Sequence, residues 1–140
     1  MDRDEVMAYT VQWNDVDWLG HMTSSRYAAL YDDVRWQWVR RLEGLKTEIG
    51  DLVPVVVEAH ILYKQELPIG TNITVRSRLD RMHGKAIFFK QEIRKEDGAL
   101  ASSAEYVTLL LDTKARRATE VPEAFRRLFP DVPVLAKASG

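Results

Sequence analysis

Thr23-Ser24-Ser25-Arg26-Tyr27-Ala28-Ala29-Leu30-Tyr31-Asp32-Asp33-Val34-Arg35-Trp36-Gln37-Trp38-Val39-Arg40-Arg41-Leu42-Glu43-Gly44 is the stretch on which the fold turns. Tyr27, Leu30, Tyr31, Val34, Trp38 and Leu42 recur at spacings of three and four, which puts them on one stripe of a helix. Asp32, Arg35, Arg40 and Arg41 fall mostly elsewhere on the wheel. Thr23, Ser24 and Ser25 offer capping hydroxyls at the start, and Gly44 supplies a stop. The spacing predicts one helix of about five turns, with an aromatic-rich stripe wide enough to be a core element.

On either side of this segment the period changes to two. Before it, Met7 to Trp13 alternates Tyr9, Val11 and Trp13 with Thr10 and Gln12, the pattern of a half-buried strand. After a polar loop around Lys46 to Asp51, Leu52 to Gln65 reads as a long strand rich in valine and isoleucine, turned at Pro68-Ile69-Gly70. Thr71 to Met82 alternates strictly, His83-Gly84-Lys85 is a short connection, and Ala86 to Lys95 is the next strand. Asp97-Gly98 is a strong hairpin signal, and Ala99 to Leu111 follows as the last long strand. Val121 to Phe129 reads as a short amphipathic helix, with a frayed tail over 131–140.

Strand, long helix, then four strands on short connections predicts an α+β domain. In it an antiparallel meander of about five strands wraps around one central helix. The length of 140 residues suits a single domain spanning 1–140. Phe88 opposes Ile87 and Phe89 by strand parity, and Val107, Leu109 and Leu111 oppose their neighbours, so both faces of the last two strands are partly apolar. That pattern predicts an oligomer in which a second subunit covers the outer surface or an edge.

Composition narrows the function classes. A formal net charge of −1 provides no field to recruit nucleic acid or an anionic membrane, and Arg76, Arg78 and Arg81 alone make no basic surface. No apolar run approaches the ~20 residues of a membrane span. The charged start Met1-Asp2-Arg3-Asp4-Glu5 does not read as a signal peptide. The absence of cysteine removes disulfides, cysteine nucleophiles and thiolate metal sites together, and suits a cytoplasmic location.

The segment that carries chemistry is Trp13-Asn14-Asp15-Val16-Asp17-Trp18-Leu19-Gly20-His21-Met22. Two carboxylates and an imidazole feed the N-terminus of the core helix. Unpaired N–H groups and the positive end of the dipole there suit a carbonyl oxygen gaining negative charge. Either aspartate also fits a plain turn or capping role. His21 reads equally as a proton relay or orienter of Asp17 and as a packed imidazole. His60 reads first as a satisfied sheet histidine. His83 with Arg81 and Lys85 forms a basic turn suited to the phosphates of coenzyme A, or simply solvated. A serine-hydrolase triad lacks its nucleophile elbow, and Asp15, Asp17 and His21 lack the second cluster a metal site needs.

Asp15-x-Asp17-x-x-Gly20-His21-Met22-x-x-x-x-Tyr27 resembles the signature of hotdog-fold acyl-CoA thioesterases of the 4-hydroxybenzoyl-CoA thioesterase type. Pro54-Val55-Val56-Val57-Glu58-Ala59-His60-Ile61-Leu62-Tyr63 resembles that family's long second strand, and the later turns fall in register over roughly residues 7 to 130. The resemblance implies hydrolysis of an acyl-CoA thioester, with Asp17 as nucleophile or general base and Asp15 as a supporting turn residue. It implies a carbonyl polarised by a backbone N–H at Thr23 to Ser25, chiefly that of Ser24, with His21 in attendance. Substrate contacts would come from Trp18, Thr23, Ser25, His60, Tyr63, Arg81, His83 and Lys85, in a site at the boundary of a homodimer or a dimer of dimers. No metal or other cofactor is implied, coenzyme A entering only as part of the substrate. The departure is at Ser24-Ser25, where many members carry an Asn pair. A backbone donor survives that change, while the acyl pocket and any side-chain contact stay open. Two other readings remain: a hotdog hydratase or dehydratase acting on an acyl thioester, and a non-catalytic module that binds acyl-CoA or acyl carrier protein.

Overall fold

The computed structural model describes residues 1–136. The decisive stretch forms α1, Ser24–Glu43, and all six stripe residues from Tyr27 to Leu42 are buried. Thr23 is the residue before the first turn, but no side chain caps it; its hydroxyl meets that of Ser25 instead, at 3.3 Å. The first strand, β1, is Asp4–Thr10, displaced toward the N-terminus from the expected span. Trp13–Asp15 winds into a single 3-10 turn instead of continuing the strand, because the Asp15 carboxylate accepts the Gln12 N–H at 2.8 Å. The expected polar loop after α1 contains a one-turn helix, α2, Lys46–Ile49, which buries Ile49.

Four long strands follow: β2 Leu52–Tyr63, β3 Asn72–His83, β4 Ala86–Lys95 and β5 Leu100–Asp112. A two-residue strand β6, Arg117–Ala118, pairs antiparallel with the end of β5, and α3 spans Glu123–Leu128. The strand order is β1-β3-β4-β5-β2, antiparallel throughout. β3, β4 and β5 form the expected meander, but β2 does not join it through β3. It lies beyond β5, from Leu52↔Asp112 to Tyr63↔Ser102, while β3 pairs on its other side with β1.

The cause is the connection between β2 and β3. It crosses in front of the start of α1, where Met22 N–H donates to the Leu67 carbonyl at 2.9 Å and His21 bridges Pro68. Leu67 is fully buried there. A segment that covers the helix start and changes sheet edge cannot also be a tight hairpin.

The sheet curls around α1, so the inward row of each strand meets the helix stripe. Trp38 packs edge-on against Phe89 with ring centres 5.0 Å apart and stacks on Phe129 at 5.5 Å. Such pairs add to the large apolar area these rings bury. One residue expected off the stripe is inside: Arg35 is buried, its guanidinium 4.1 Å from the Tyr106 ring centre. It donates to Gln91 Oε1 at 2.9 Å and to Asp32, and Gln91 Nε2 donates on to the Tyr31 carbonyl. A buried cation is tolerated only with such partners.

The tail expected to fray is tied down as far as Leu135. Met82 N–H donates to the Pro133 carbonyl at 2.9 Å and Leu135 N–H to the Met82 carbonyl at 2.8 Å; residues 137–140 of that expectation lie outside the described residues. The exposed apolar surface is not chiefly on β4 and β5, where Arg81 lies 3.9 Å over the Phe88 ring. Within the sheet it lies mainly on the free edge strand β2, where Val55, Val56, Val57, Leu62 and Tyr63 are all exposed, and outside the sheet on the loop before α1, at Trp13, Trp18 and Leu19. No helix among the described residues is long and apolar enough to cross a membrane.

Candidate active site

The loop before α1 is a small hairpin. Val16 bridges Met22, Asp17 N–H donates to the His21 carbonyl at 3.1 Å, and Gly20 N–H donates to the Asp17 carbonyl at 2.9 Å. Gly20 takes φ of 83°, the left-handed conformation that lets the chain turn back after four residues. The Asp17 side chain reinforces the turn, its Oδ1 accepting the Leu19 N–H at 2.9 Å.

Asp15 and Asp17 have opposite surroundings. Asp15 is 1% exposed and fully engaged: Oδ2 accepts from the Tyr9 hydroxyl at 2.6 Å and from Gln12 N–H, and Oδ1 accepts from Arg26 Nε at 2.7 Å. Its backbone carbonyl also accepts the Thr23 N–H at 2.9 Å. Burial alone would raise the Asp15 carboxyl, but hydrogen bonds from Tyr9, Gln12 and Arg26 outweigh it and hold the group below the ordinary carboxylate value. Burial and the hydrogen bond to Asp15 push the Tyr9 hydroxyl upward, so it remains the proton donor. Asp15 thus ties β1, the loop and the first turn of α1 together. Asp17 is exposed, and Leu19 N–H is the one donor that its carboxylate accepts among the described residues.

The two aspartates therefore divide as lock and free carboxylate. Neither Tyr9 nor Arg26 is singled out by the sequence pattern. The available signal is Arg26 itself, a cation in the first helical turn, where the dipole disfavours one unless a buried anion compensates.

The start of α1 is open. Among the described residues no side chain caps it, and as first-turn groups the N–H of Ser24 and of Ser25 have no partner within the helix. Beside them lies a cavity of about 300 Å³ lined by His21, Met22, Ser24, Tyr27, Tyr63, Lys64, Gln65 and Glu66. His21 Nε2 stands 3.3 Å from Glu66, a carboxylate whose part in the site was not legible in the sequence. Tyr27 and Tyr63 meet edge-to-face, ring centres 5.0 Å apart. Imidazole, helix terminus and cavity are thus gathered at one end of the helix, and Asp17 stands on the same hairpin as His21 without lining the cavity itself.

Several other candidates stand apart from this cluster. Trp18 is on the same loop but 92% exposed. His60 is on the β2 edge, exposed, 3.0 Å from Glu58. Arg81, His83 and Lys85 sit at or beside the β3–β4 turn, on the order of 35 Å along β3 from its beginning near the helix start. Arg81 is already engaged by Asp80 at 2.9 Å and Glu105 at 2.7 Å. Within one protomer these three do not reach the α1 N-terminus. Among the described residues no group of three or more His, Asp and Glu side chains is arranged to hold a metal ion.

The L-carnitine dehydrogenase/betainyl-CoA thioesterase of Agrobacterium fabrum is 32% identical over 114 residues, covering 80% of this chain. The chain spans 23% of that relative's length. The long-chain acyl-CoA thioesterase FadM of Escherichia coli is 23% identical over 100 residues, covering 70% of this chain and 76% of the relative. A Staphylococcus aureus protein solved in complex with CoA superposes with a TM-score of 0.75 at 23% identity, over 99% of this chain and 92% of that one. Residues 11–129 match the thioesterase-like superfamily as a whole. With a hotdog sheet wrapped around α1 and that match spanning the loop, the helix and the strands, the chain belongs to the thioesterase-like superfamily.

Proposed function

We propose that the protein hydrolyses an acyl-CoA thioester to the free acid and CoA, with Asp17 as the carboxylate that acts on the carbonyl carbon. The observation that carries this is the unequal state of the two aspartates. Asp15 has every near donor committed to it, whereas Asp17 is exposed and held by its own turn beside an open helix terminus. In this reading the thioester oxygen accepts from the Ser24 N–H, which stabilises the negative charge that develops as the carbonyl is attacked. Asp17 either takes a proton from the water that adds, or adds to the carbon itself to give, once the thiolate has left, an anhydride that water hydrolyses to the free acid and the restored carboxylate. The C–S bond then breaks and the thiolate of CoA leaves, collecting a proton. His21, oriented by Glu66, stands at the cavity wall where that proton is handled. The relatives named for acyl-CoA thioesterase activity, and the neighbour solved with CoA, support the substrate class.

A homodimer belongs to the same proposal. β2 is a twelve-residue edge strand whose 55–60 segment is exposed on both faces. A long, apolar, unprotected edge is a template for pairing with another strand. A second copy adding its own β2 covers it by backbone hydrogen bonds and brings the two helix termini into one assembly. Thiol release from a panel of acyl-CoAs, run with sedimentation of the same sample, tests both parts. Turnover by a dimer agrees with the proposal. A folded protein silent across the panel, yet stabilised against heat by acyl-CoA, would replace it with a binding module.

A further inference from the structure

The cavity at the helix start is not the only space along α1. A second, larger groove of about 460 Å³ runs between α1 and β2, lined on the helix by Ala28, Trp36 and Val39 and on the strand by Val53, Ala59 and Ile61. The two spaces follow one another. Ala28 is the residue after Tyr27 on the helix, and Ile61 lies two before Tyr63 on the same face of β2. The edge-to-face Tyr27–Tyr63 pair lines the first space, next to Ala28 and Ile61 of the second. We propose that Tyr63 is the residue that sets acyl length. Held against Tyr27, it closes the carbonyl compartment off from the α1–β2 groove and confines the substrate to acyl groups of a few carbons.

The two rings are unequal partners. Tyr27 is 4% exposed, and its hydroxyl donates to the Gln65 carbonyl at 3.3 Å, so it is a fixed wall. Tyr63 is 52% exposed and is the last residue of an edge strand, so it forms the side of the closure that a single substitution removes. Behind it the groove opens past Ile61 between Ala28 on the helix and Ala59 on the strand, with Asp32 and Arg35 also on its walls, so space for a longer chain already exists. Pairing of β2 edges between two copies uses backbone groups and leaves the helix-facing side chains of β2 in place.

This inference rests on the thioesterase reading, and the experiment separates the two. Thiol release from acetyl-, butyryl-, octanoyl- and palmitoyl-CoA is measured for the native protein, Tyr63→Ala and Tyr63→Phe, each checked for an intact thermal transition. The native protein should favour the two short substrates by about tenfold or more in kcat/KM, the size of discrimination a shaped apolar site provides. Tyr63→Ala should shift that preference toward octanoyl- and palmitoyl-CoA by a similar factor, and Tyr63→Phe, which keeps the ring, should retain the native order. A native protein that hydrolyses palmitoyl-CoA as well as butyryl-CoA overturns the gate whatever the variants do. So does a Tyr63→Ala variant that changes all four rates by one factor. Silence of the folded native protein on all four overturns the thioesterase reading and the gate with it.

Discussion

Replacing Asp15 by Asn should cost stability through one identifiable contact. The carboxylate has donors on both oxygens: Tyr9 hydroxyl and Gln12 N–H on Oδ2, and Arg26 Nε on Oδ1. An amide can keep its oxygen toward Tyr9 and Gln12, but its NH₂ then faces the Arg26 guanidinium, donor against donor. The side chain of Arg26 is 38% exposed and can turn to water, so the loss is close to that of one charge-assisted hydrogen bond, about 2 kcal/mol. Asp15→Ala also strands Tyr9 and Gln12 and should cost about 3–5 kcal/mol. At this chain length the Asn variant should melt roughly 6 °C below the native protein.

The pH dependence supplies a second signature. The folded Asp15 carboxyl is held below its ordinary value of about 3.9. Its stabilisation is therefore complete above that value and is lost as pH falls through about 4 toward the lower folded value. Urea midpoints measured from neutral pH down to that window should fall more steeply for the native protein than for Asp15→Asn. Equal midpoints at neutral pH, or parallel acid profiles, would refute the claim that Asp15 is the lock.

Three further substitutions test the loop and the core. Gly20→Ala places a Cβ on a residue at φ of 83° and should cost about 1–2 kcal/mol, read as a lowered melting temperature. It should lower turnover further than that loss of stability explains, because the turn that carries Asp17 is displaced. Gln91→Leu removes the acceptor of Arg35 Nη1 and should lower stability by about 2–3 kcal/mol in urea titration. Adding Arg35→Met should recover part of that loss, since the buried cation that has lost its Gln91 acceptor and keeps only Asp32 is then gone; strictly additive losses would show that the two do not act as a pair.

Much of the fold was legible because it rests on periodicity. The α1 stripe and the alternation of β3 fix which faces are buried, and the structure buries those faces. The place of β2 was not legible. Strand order across a sheet depends on what the β2–β3 connection covers, and nothing local in Leu67-Pro68-Ile69-Gly70 says that Leu67 closes the front of α1. Arg35 was misplaced for a similar reason. Wheel position marks it as peripheral, but Tyr106 and Gln91, far away in sequence, give it an interior. At the site, the pairing of two aspartates with a helix start could be read from the chain. Which aspartate is locked depends on Tyr9 from a neighbouring strand and Arg26 from the helix, contacts that only the assembled fold creates.

The most direct test of the account is a kinetic comparison of the native protein with Asp17→Asn on butyryl-CoA, alongside the melting temperature of each. The exposed Asp17 amide keeps an oxygen for the Leu19 N–H, so stability should change by no more than about 0.5 kcal/mol. The rate of thiol release should fall by a factor of at least ~100, the scale on which a positioned carboxylate accelerates proton transfer. An Asp17→Asn protein that turns over at the native rate would contradict the assignment of the chemistry to Asp17.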